Sequence, residues 1–502
     1  KDAASRVDSR SSKRRADMNM RRHDALKLAC LRELTALVAG QGLLRRAVLR
    51  AVSARAQRMI LEENVHDRPL QVRRDVYDHL IALLHGIDRA AERGCVSKHV
   101  VKRIVDVFVG NVLMRSTEDA DIVGALGFAP PKFVLVSPTG RCNLRCADCY
   151  ADSNSENHED LDFATFDRIL TEKRDLWGSM FTVVSGGEPF LWRDGRRDLL
   201  DLAAKHVDEL FMVYTNGTLI DDGLSERMAE LGNVTPALSV EGFEKETDCR
   251  RGVGTYGKLL AAFESLRSHG IPFGISATPT QNNWDVIVSE EFADFYFEKQ
   301  GAVYGWLFQY MPVGRGHAVD LMVPPRERVE MLRRMRRLVR ERRIFLADFW
   351  NSGPTSCGCI AAGRQGGYFH IDWNGDITPC AFVPYSTDNI HDVYSRGGDL
   401  NDALQSPLFE RIREWQDDYG FARPAGGVEN WLCPCVIRDH FDVLRSAVAV
   451  SGARPVNEDA AAAIRDPDYC ARMVRYGRDI RALTDPIWEE EYTGSQKAME
   501  CM

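Results

Sequence analysis

Apolar residues recur at helical spacing early in the chain. Leu28, Leu31, Leu34 and Val38 share one face; Leu44, Ala47, Val48 and Ala51 share another, with Arg46 and Arg50 off it. Gly40 and Gly42 separate the two helices. Further helical patterns run over about 72–91 and 97–114, and Pro130–Pro131 closes this part. The rhythm then changes. Short apolar runs at 133–136, 181–184, 210–214, 237–240, 273–277 and 306–310 alternate with helical patterns at 163–176, 195–206, 222–231, 257–269, 289–299 and 325–343. Six β-then-α units predict an α/β fold: a parallel sheet with right-handed crossovers. Such sheets carry their chemistry on the loops after the strands. Past 343 the periodicity fades into a glycine-rich stretch that needs something to order it.

The expected organisation is therefore a disordered basic tail over 1–16 and a helical N-terminal domain over 17–129. A parallel barrel-like unit follows over 130–343, then a loop-rich domain over 344–450 and an acidic, partly helical tail over 451–502.

Composition narrows the class. Apolar residues are 44% and charged residues 27%, which excludes wholesale disorder, a collagen-like fibre and a polytopic membrane protein. The net charge of −8 is unevenly spread: the first 60 residues hold 15 Lys/Arg against 5 Asp/Glu. The acidic remainder argues against nucleic acid as a partner. The basic helix pair over 17–60 fits either peripheral attachment to a membrane surface or a helical cap with its arginines in solvent. No secretory h-region or spanning run of about 18–20 uncharged apolar residues is present. A cytoplasmic protein is expected, with the inner face of the membrane as the place of any attachment.

The chemistry lies in the cysteines. There are 13, an odd number too sparse for a disulfide scaffold. Cys142, Cys146 and Cys149 follow the first strand as C-x3-C-x2-C. Three thiolates on one loop can hold three corners of a [4Fe–4S] cube and leave one iron open to a substrate or cofactor. A zinc knuckle is the competing reading, and it lacks a fourth ligand at zinc-finger distance; His158 is the nearest histidine.

The loop resembles the signature of the radical S-adenosylmethionine (SAM) superfamily, and later loops match in order on predicted strand ends. Ser185-Gly186-Gly187-Glu188-Pro189 resembles the family's GGEP motif, which implies binding of the SAM amino group. Thr215-Asn216-Gly217-Thr218 is placed along the cofactor pocket, with Tyr150 beside the cysteines. Ser239 and Glu241 alternate onto one side of an extended segment, where relatives contact the SAM ribose or carboxylate; Asp is commoner at the position of Glu241. Arg251, after Arg250, could grip a carboxylate. Thr278 and Tyr310 at later strand ends are placed near adenine or substrate, or fill the barrel. His317 reads as a solvated loop residue. The resemblance implies a partial (β/α)6 radical SAM barrel and an electron donor of flavodoxin or ferredoxin type. It also implies reductive cleavage of SAM to a 5′-deoxyadenosyl radical that abstracts a hydrogen atom.

Cys357, Cys359, Cys380, Cys433 and Cys435 lie downstream. Between Cys359 and Cys380, the runs 368–372 and 376–378 flank Trp373-Asn374-Gly375, a hairpin turn. This resembles the cysteine–hairpin–cysteine element of SPASM and twitch domains, which hold auxiliary iron–sulfur clusters. Five candidates suffice for one four-cysteine cluster; a structural zinc site is the alternative. Cys30, Cys95, Cys249, Cys470 and Cys501 are scattered, with Cys249 placed to donate a hydrogen atom near the Glu241 loop.

The leading substrate expectation is an unactivated carbon of a lipid acyl chain. The alternatives are a peptide or protein matured by a SPASM-type enzyme, and a non-catalytic iron–sulfur scaffold or redox sensor.

Overall fold

The computed structural model describes residues 43–64, 67–97, 100, 123–124, 126–157 and 159–494. The expected tail over 1–16, the first predicted helix, most of the 97–114 pattern, Cys30, His158 and Cys501 lie outside the described residues.

Six strands follow one another in chain order. They are β1 (Phe133–Val136), β2 (Phe181–Val184), β3 (Leu210–Thr215), β4 (Val234–Val240), β5 (Gly274–Ala277) and β6 (Tyr304–Leu307). Each pairs in parallel with the next, which is the expected partial barrel. β4 begins three residues earlier than its apolar run. Pro236 argues against a central strand, yet it sits opposite Val213 in the β3 register.

Two further parallel strands extend the edges. β7 (Leu346–Asp348) pairs with β6, and β8 (Tyr368–Ile371) pairs with β1, Phe133 opposite Tyr368. β8 turns through Trp373-Asn374-Gly375 into antiparallel β9 (Asp376–Thr378). The hairpin expected in a separate region is thus built onto the first edge of the barrel, and the boundary expected at 343 cuts through one continuous sheet. The seam between β7 and β8 is filled by rings: Phe349 lies 6.2 Å from Tyr368 and 6.1 Å from Phe382.

The helices form where period and caps agree. The first crossover helix spans Phe163–Trp177; Asp162 caps its N-terminus and Gly178, at φ 65°, ends it. The helix Asp222–Leu231 repeats the pattern with Asp221 and Gly232.

The front end supplies α1 (Leu43–Gln57) and α2 (Leu70–Glu92). The buried face of α1 is rotated from the expected one. Ala47 and Ala51 are exposed, while Leu49 and Val52 pack with Ile81 and Leu84 of α2. Arg45 joins that face because Asp88 and Glu92 receive its guanidinium. A pattern reading that keeps arginines outside a core misses such a pairing. Arg46 and Arg50 stay exposed. On α2, Asp75 accepts from Arg340 at 2.7 Å and from the Tyr492 hydroxyl at 2.6 Å, tying front, middle and end of the chain together. Among the described residues no helix is long and apolar enough to cross a membrane.

Candidate active site

The loop after β1 crosses the carboxyl ends of the strands. Cys142 N donates to Asn154 O and Ala147 N donates to Arg250 O, both at 2.9 Å. Cys142, Cys146 and Cys149 all line one end of a cavity of about 520 Å³. The Cys142 sulfur accepts from Leu144 N at 3.4 Å and faces the Asn216 amide at 3.7 Å. The Cys146 sulfur faces Arg251 at 4.0 Å. Burial pushes the Cys142 thiol up to about 12. A thiol in that setting gives up its proton when a bound metal replaces it. Three thiols on one loop, with an amide turned to the Cys142 sulfur and an arginine to that of Cys146, fit a [4Fe–4S] cluster held by three cysteines. Among the described residues no three candidate ligands converge as a single metal ion would require. A cube gives each thiolate its own iron corner.

Sequence reading did not find what holds this loop. Arg315, from the segment after β6, donates to Cys146 O at 2.6 Å, Ser153 O at 2.7 Å and the Asp152 carboxylate at 2.8 Å. Its backbone N–H donates to Cys149 O. Gly314 makes the approach possible: a Cβ there would lie 2.2 Å from Tyr150 O. The available signal was an arginine between two glycines, in Gly314-Arg315-Gly316. His317, two residues on, packs edge-on to Tyr469 and is not among the cavity-lining residues.

The Ser185–Pro189 loop sits directly under the cysteine loop. Gly187 N donates to Thr139 O and Glu188 N donates to Arg141 O. A Cβ on Gly187 would come 2.0 Å from Arg141 O, so this glycine serves loop-on-loop packing. Ser185, Gly186 and Gly187 line the cavity, and Ser185 is bonded to the Tyr150 hydroxyl at 2.8 Å. Glu188 departs from the expectation. It is fully buried and its carboxylate accepts from the Thr215 hydroxyl, Asn216 N and Phe190 N. It therefore fixes the neighbouring loop and does not line the cavity. Burial raises it to about 7.

Asn216 is held in turn: its amide donates to Asn143 at 2.8 Å and its carbonyl accepts from Thr218. Ser239 lines the cavity 3.3 Å from Ser276. Glu241 also departs from the expectation. It is fully buried behind the arginines, where it pairs with Arg250 and Arg251 and accepts from Thr278 N. Both arginines line the cavity. Two guanidinium groups share this one carboxylate beside the cysteines, and Asp148 lines the same cavity end. Burial opposes the charge on Arg251, but Glu241 and the nearby thiols hold it above its ordinary value. Thr278 and Tyr310 line the same cavity. Cys249 is exposed and absent from the lining, so the structure does not place it as a hydrogen donor.

The downstream cysteines divide. Cys380 is buried with the Tyr368 hydroxyl 2.9 Å away; burial pushes it up to about 12, and Cys359 adds to the shift. Burial also raises Cys435, with Asp439, Cys359 and Cys380 contributing. Cys359, Cys380 and Cys435 thus share one neighbourhood beside the ring seam. Cys433 turns instead to the Thr484 hydroxyl at 3.1 Å, and Cys357 faces Arg68 and Arg364. Arg364 repeats the role of Arg315, donating to the carbonyls of Ser356, Cys357, Gly358 and Cys359.

Comparison with known proteins gives this geometry a context. Residues 136–293 match the model of the radical SAM superfamily. The chain is 29% identical over 292 residues to mycofactocin maturase MftC of Mycobacterium tuberculosis, covering 55% of this chain and 71% of that protein. It is 33% identical over 162 residues to pre-heme d1 synthase of Dinoroseobacter shibae, covering 31% and 38%. Against four curated relatives the match spans only 37% to 58% of their length. Among solved structures, Streptococcus suis SuiB bound to the precursor peptide SuiA aligns at 19% identity and a TM-score of 0.48, covering 63% of this chain and 72% of that one.

Proposed function

We propose, from the premise that this chain carries a radical SAM domain, that it matures a peptide or protein by hydrogen abstraction. When bound, the [4Fe–4S] cluster with SAM on its open iron supplies the electron that cleaves SAM to methionine and the 5′-deoxyadenosyl radical. The observation that carries the reading is the convergence of Cys142, Cys146 and Cys149 with Ser185–Gly187 and Arg251 on one cavity end. The residues divide the work. The three cysteines hold the cluster, and Arg315 keeps their loop in place. Arg251, a cation on the cavity wall, suits the SAM carboxylate. The polar edge from Ser185 to Gly187 faces the SAM amino group. Asn216 and Ser239 complete the wall, and Glu188 and Glu241 fix the groups that touch the ligand. The electron comes from a flavodoxin- or ferredoxin-type donor.

The maturase reading draws on MftC, whose match of 292 residues is longer than the 214 residues expected for the barrel alone. The SPASM-like hairpin with Cys359, Cys380 and Cys435 supports it and makes an auxiliary cluster part of the proposal. The comparisons give the lipid expectation no support. Pre-heme d1 synthase favours a second reading, a tetrapyrrole substrate.

An anaerobic assay of the reconstituted, reduced protein for 5′-deoxyadenosine tests the chemistry. Wild type should form it, and the Cys142/Cys146/Cys149→Ala variant should not. A protein that never cleaves SAM under reducing conditions would sink the proposal. Peptide-dependent against porphyrin-dependent stimulation of that signal separates the two readings.

A further inference from the structure

The cavity does not end at the cofactor loops. Its lining includes strand ends such as Ser185, Asn216 and Thr278, and also strand starts such as Phe133, Phe181 and Leu210. From Phe181 to Ser185 the chain rises about 13 Å at ~3.3 Å per residue. The cavity therefore runs down the interior of the barrel. Barrels of this kind are ordinarily filled by layers of inward side chains.

Three observations describe its lower half. The inward positions carry apolar groups: Phe133 and Leu135 on β1, Phe181 and Val183 on β2, Leu210 and Met212 on β3. Among the described residues, charged lining residues occur only at the cysteine-loop end, as Asp148, Arg250 and Arg251. Of the polar atoms here, the Thr235 hydroxyl meets the Tyr304 hydroxyl at 2.9 Å and Pro272 O at 3.0 Å, while Tyr214 and Trp306 bring one hydroxyl and one indole N–H to the lining. Next, several large side chains here are only half-buried although they lie inside the molecule, among them Phe133, Phe181, Tyr304 and Trp306. All four line the cavity. Last, the floor is built on purpose-shaped contact. Leu83 and Ile87 of α2 line the cavity, and Gly86 between them lets the helix touch the start of β6. A Cβ on Gly86 would stand 2.4 Å from Val303 O.

An apolar void costs stability, and one of about 150 Å³ already takes a benzene ring while staying dry. We propose that the lower half of the barrel is a binding chamber for one bulky, uncharged apolar group of the substrate, recognised chiefly by apolar contact. The ligand class is an aromatic or long aliphatic group, carried on a peptide side chain or on a free hydrocarbon molecule. The proposal rests on the reading that a substrate reacts beside the cysteine loop.

The test uses the full chain, anaerobically reconstituted, with N-phenyl-1-naphthylamine as probe. One probe per chain should bind saturably. Ile87→Trp, which fills the chamber from its floor, should weaken binding at least tenfold while SAM binding and melting temperature hold. Should that variant fold poorly, labelling of wild type by a benzyl-diazirine probe is independent of it. Mass spectrometry should then find label on Leu83, Ile87, Phe133 or Phe181. Displacement of the naphthylamine by a blocked tryptophan-containing peptide assigns the group to a peptide, and displacement by decanol alone assigns it to a free apolar molecule. Absent saturation, unchanged affinity in a folded Ile87→Trp, label confined to the outer surface, or displacement by neither competitor overturns the chamber. None of these readouts needs SAM cleavage. A protein that binds the probe but cleaves no SAM refutes the proposed function and leaves the chamber standing.

Discussion

Arg315 and Glu188 show how single residues reach the chemistry without touching it. The guanidinium of Arg315 ties two carbonyls and one carboxylate of the cysteine loop. Hydrogen bonds from a charged donor contribute about 1.5–3 kcal/mol each at best, and sharing with solvent reduces that. Arg315→Ala should cost about 2–3 kcal/mol and release cluster iron faster under a chelator challenge, with Arg315→Lys rescuing only part because one ammonium cannot span three acceptors. Iron per chain against time checks this; wild-type retention in Arg315→Ala would remove the clamp. Glu188 gives a pH signature. Its folded value of about 7 lies above the ordinary 4.5, a shift caused by burial, so the folded state holds that proton more tightly. The stability it contributes is full below the lower value and is lost as pH rises through the upper one. Glu188→Gln, which cannot ionise, should flatten the fall in melting temperature between pH 5 and 8. An unchanged slope would mean that this carboxyl does not titrate there.

At the scale of elements, the site is made of loops packed on loops. The cysteine loop, the Ser185–Pro189 loop and the Gly314–Gly316 segment meet through backbone contacts that leave no room for a Cβ. Gly187→Ala should therefore separate the first two, at about 1–3 kcal/mol for overpacking, and should lower SAM affinity more than it lowers iron content. Titration of SAM binding beside an iron assay decides this; loss of iron with SAM affinity intact would place the strain elsewhere. The strands themselves were legible because their apolar runs are short and bounded by turn residues. β7 was not, since its three residues gain strand character only from β6; β8 was legible as a hairpin arm, but not as a barrel edge, because its partner β1 lies far off in sequence. The buried face of α1 was misplaced for a like reason: Arg45 is buried only because Asp88 and Glu92 stand opposite.

For the whole molecule, the downstream cysteines form the clearest division. Cys359, Cys380 and Cys435 influence one another, whereas Cys357 and Cys433 are turned to other partners. Serine at any of the first three should remove one cluster's share of iron and its spectroscopic signal, and serine at Cys357 or Cys433 should remove far less. Iron and sulfide content with electron paramagnetic resonance on each variant checks the partition, and equal losses from all five would erase it. The β8–β9 hairpin lies between Cys359 and Cys380 and shares the barrel sheet, so these cysteines stand beside the same ring seam that closes the cavity.

Spacing alone determined the cysteine loop and the six-unit parallel core, and the loops that resemble the radical SAM motifs fell in order on its strand ends. These are local properties: three thiols within eight residues stay together however the rest folds, and a two- or 3.6-residue period is written in neighbouring positions. Tertiary structure decided which carboxylates line the cavity and which stand behind its wall. Glu188 and Glu241 were both read as ligand contacts, and both are buried against partners brought in by other strands. It also decided that the barrel is hollow and that α2 floors it, because a void arises from what many distant side chains fail to fill.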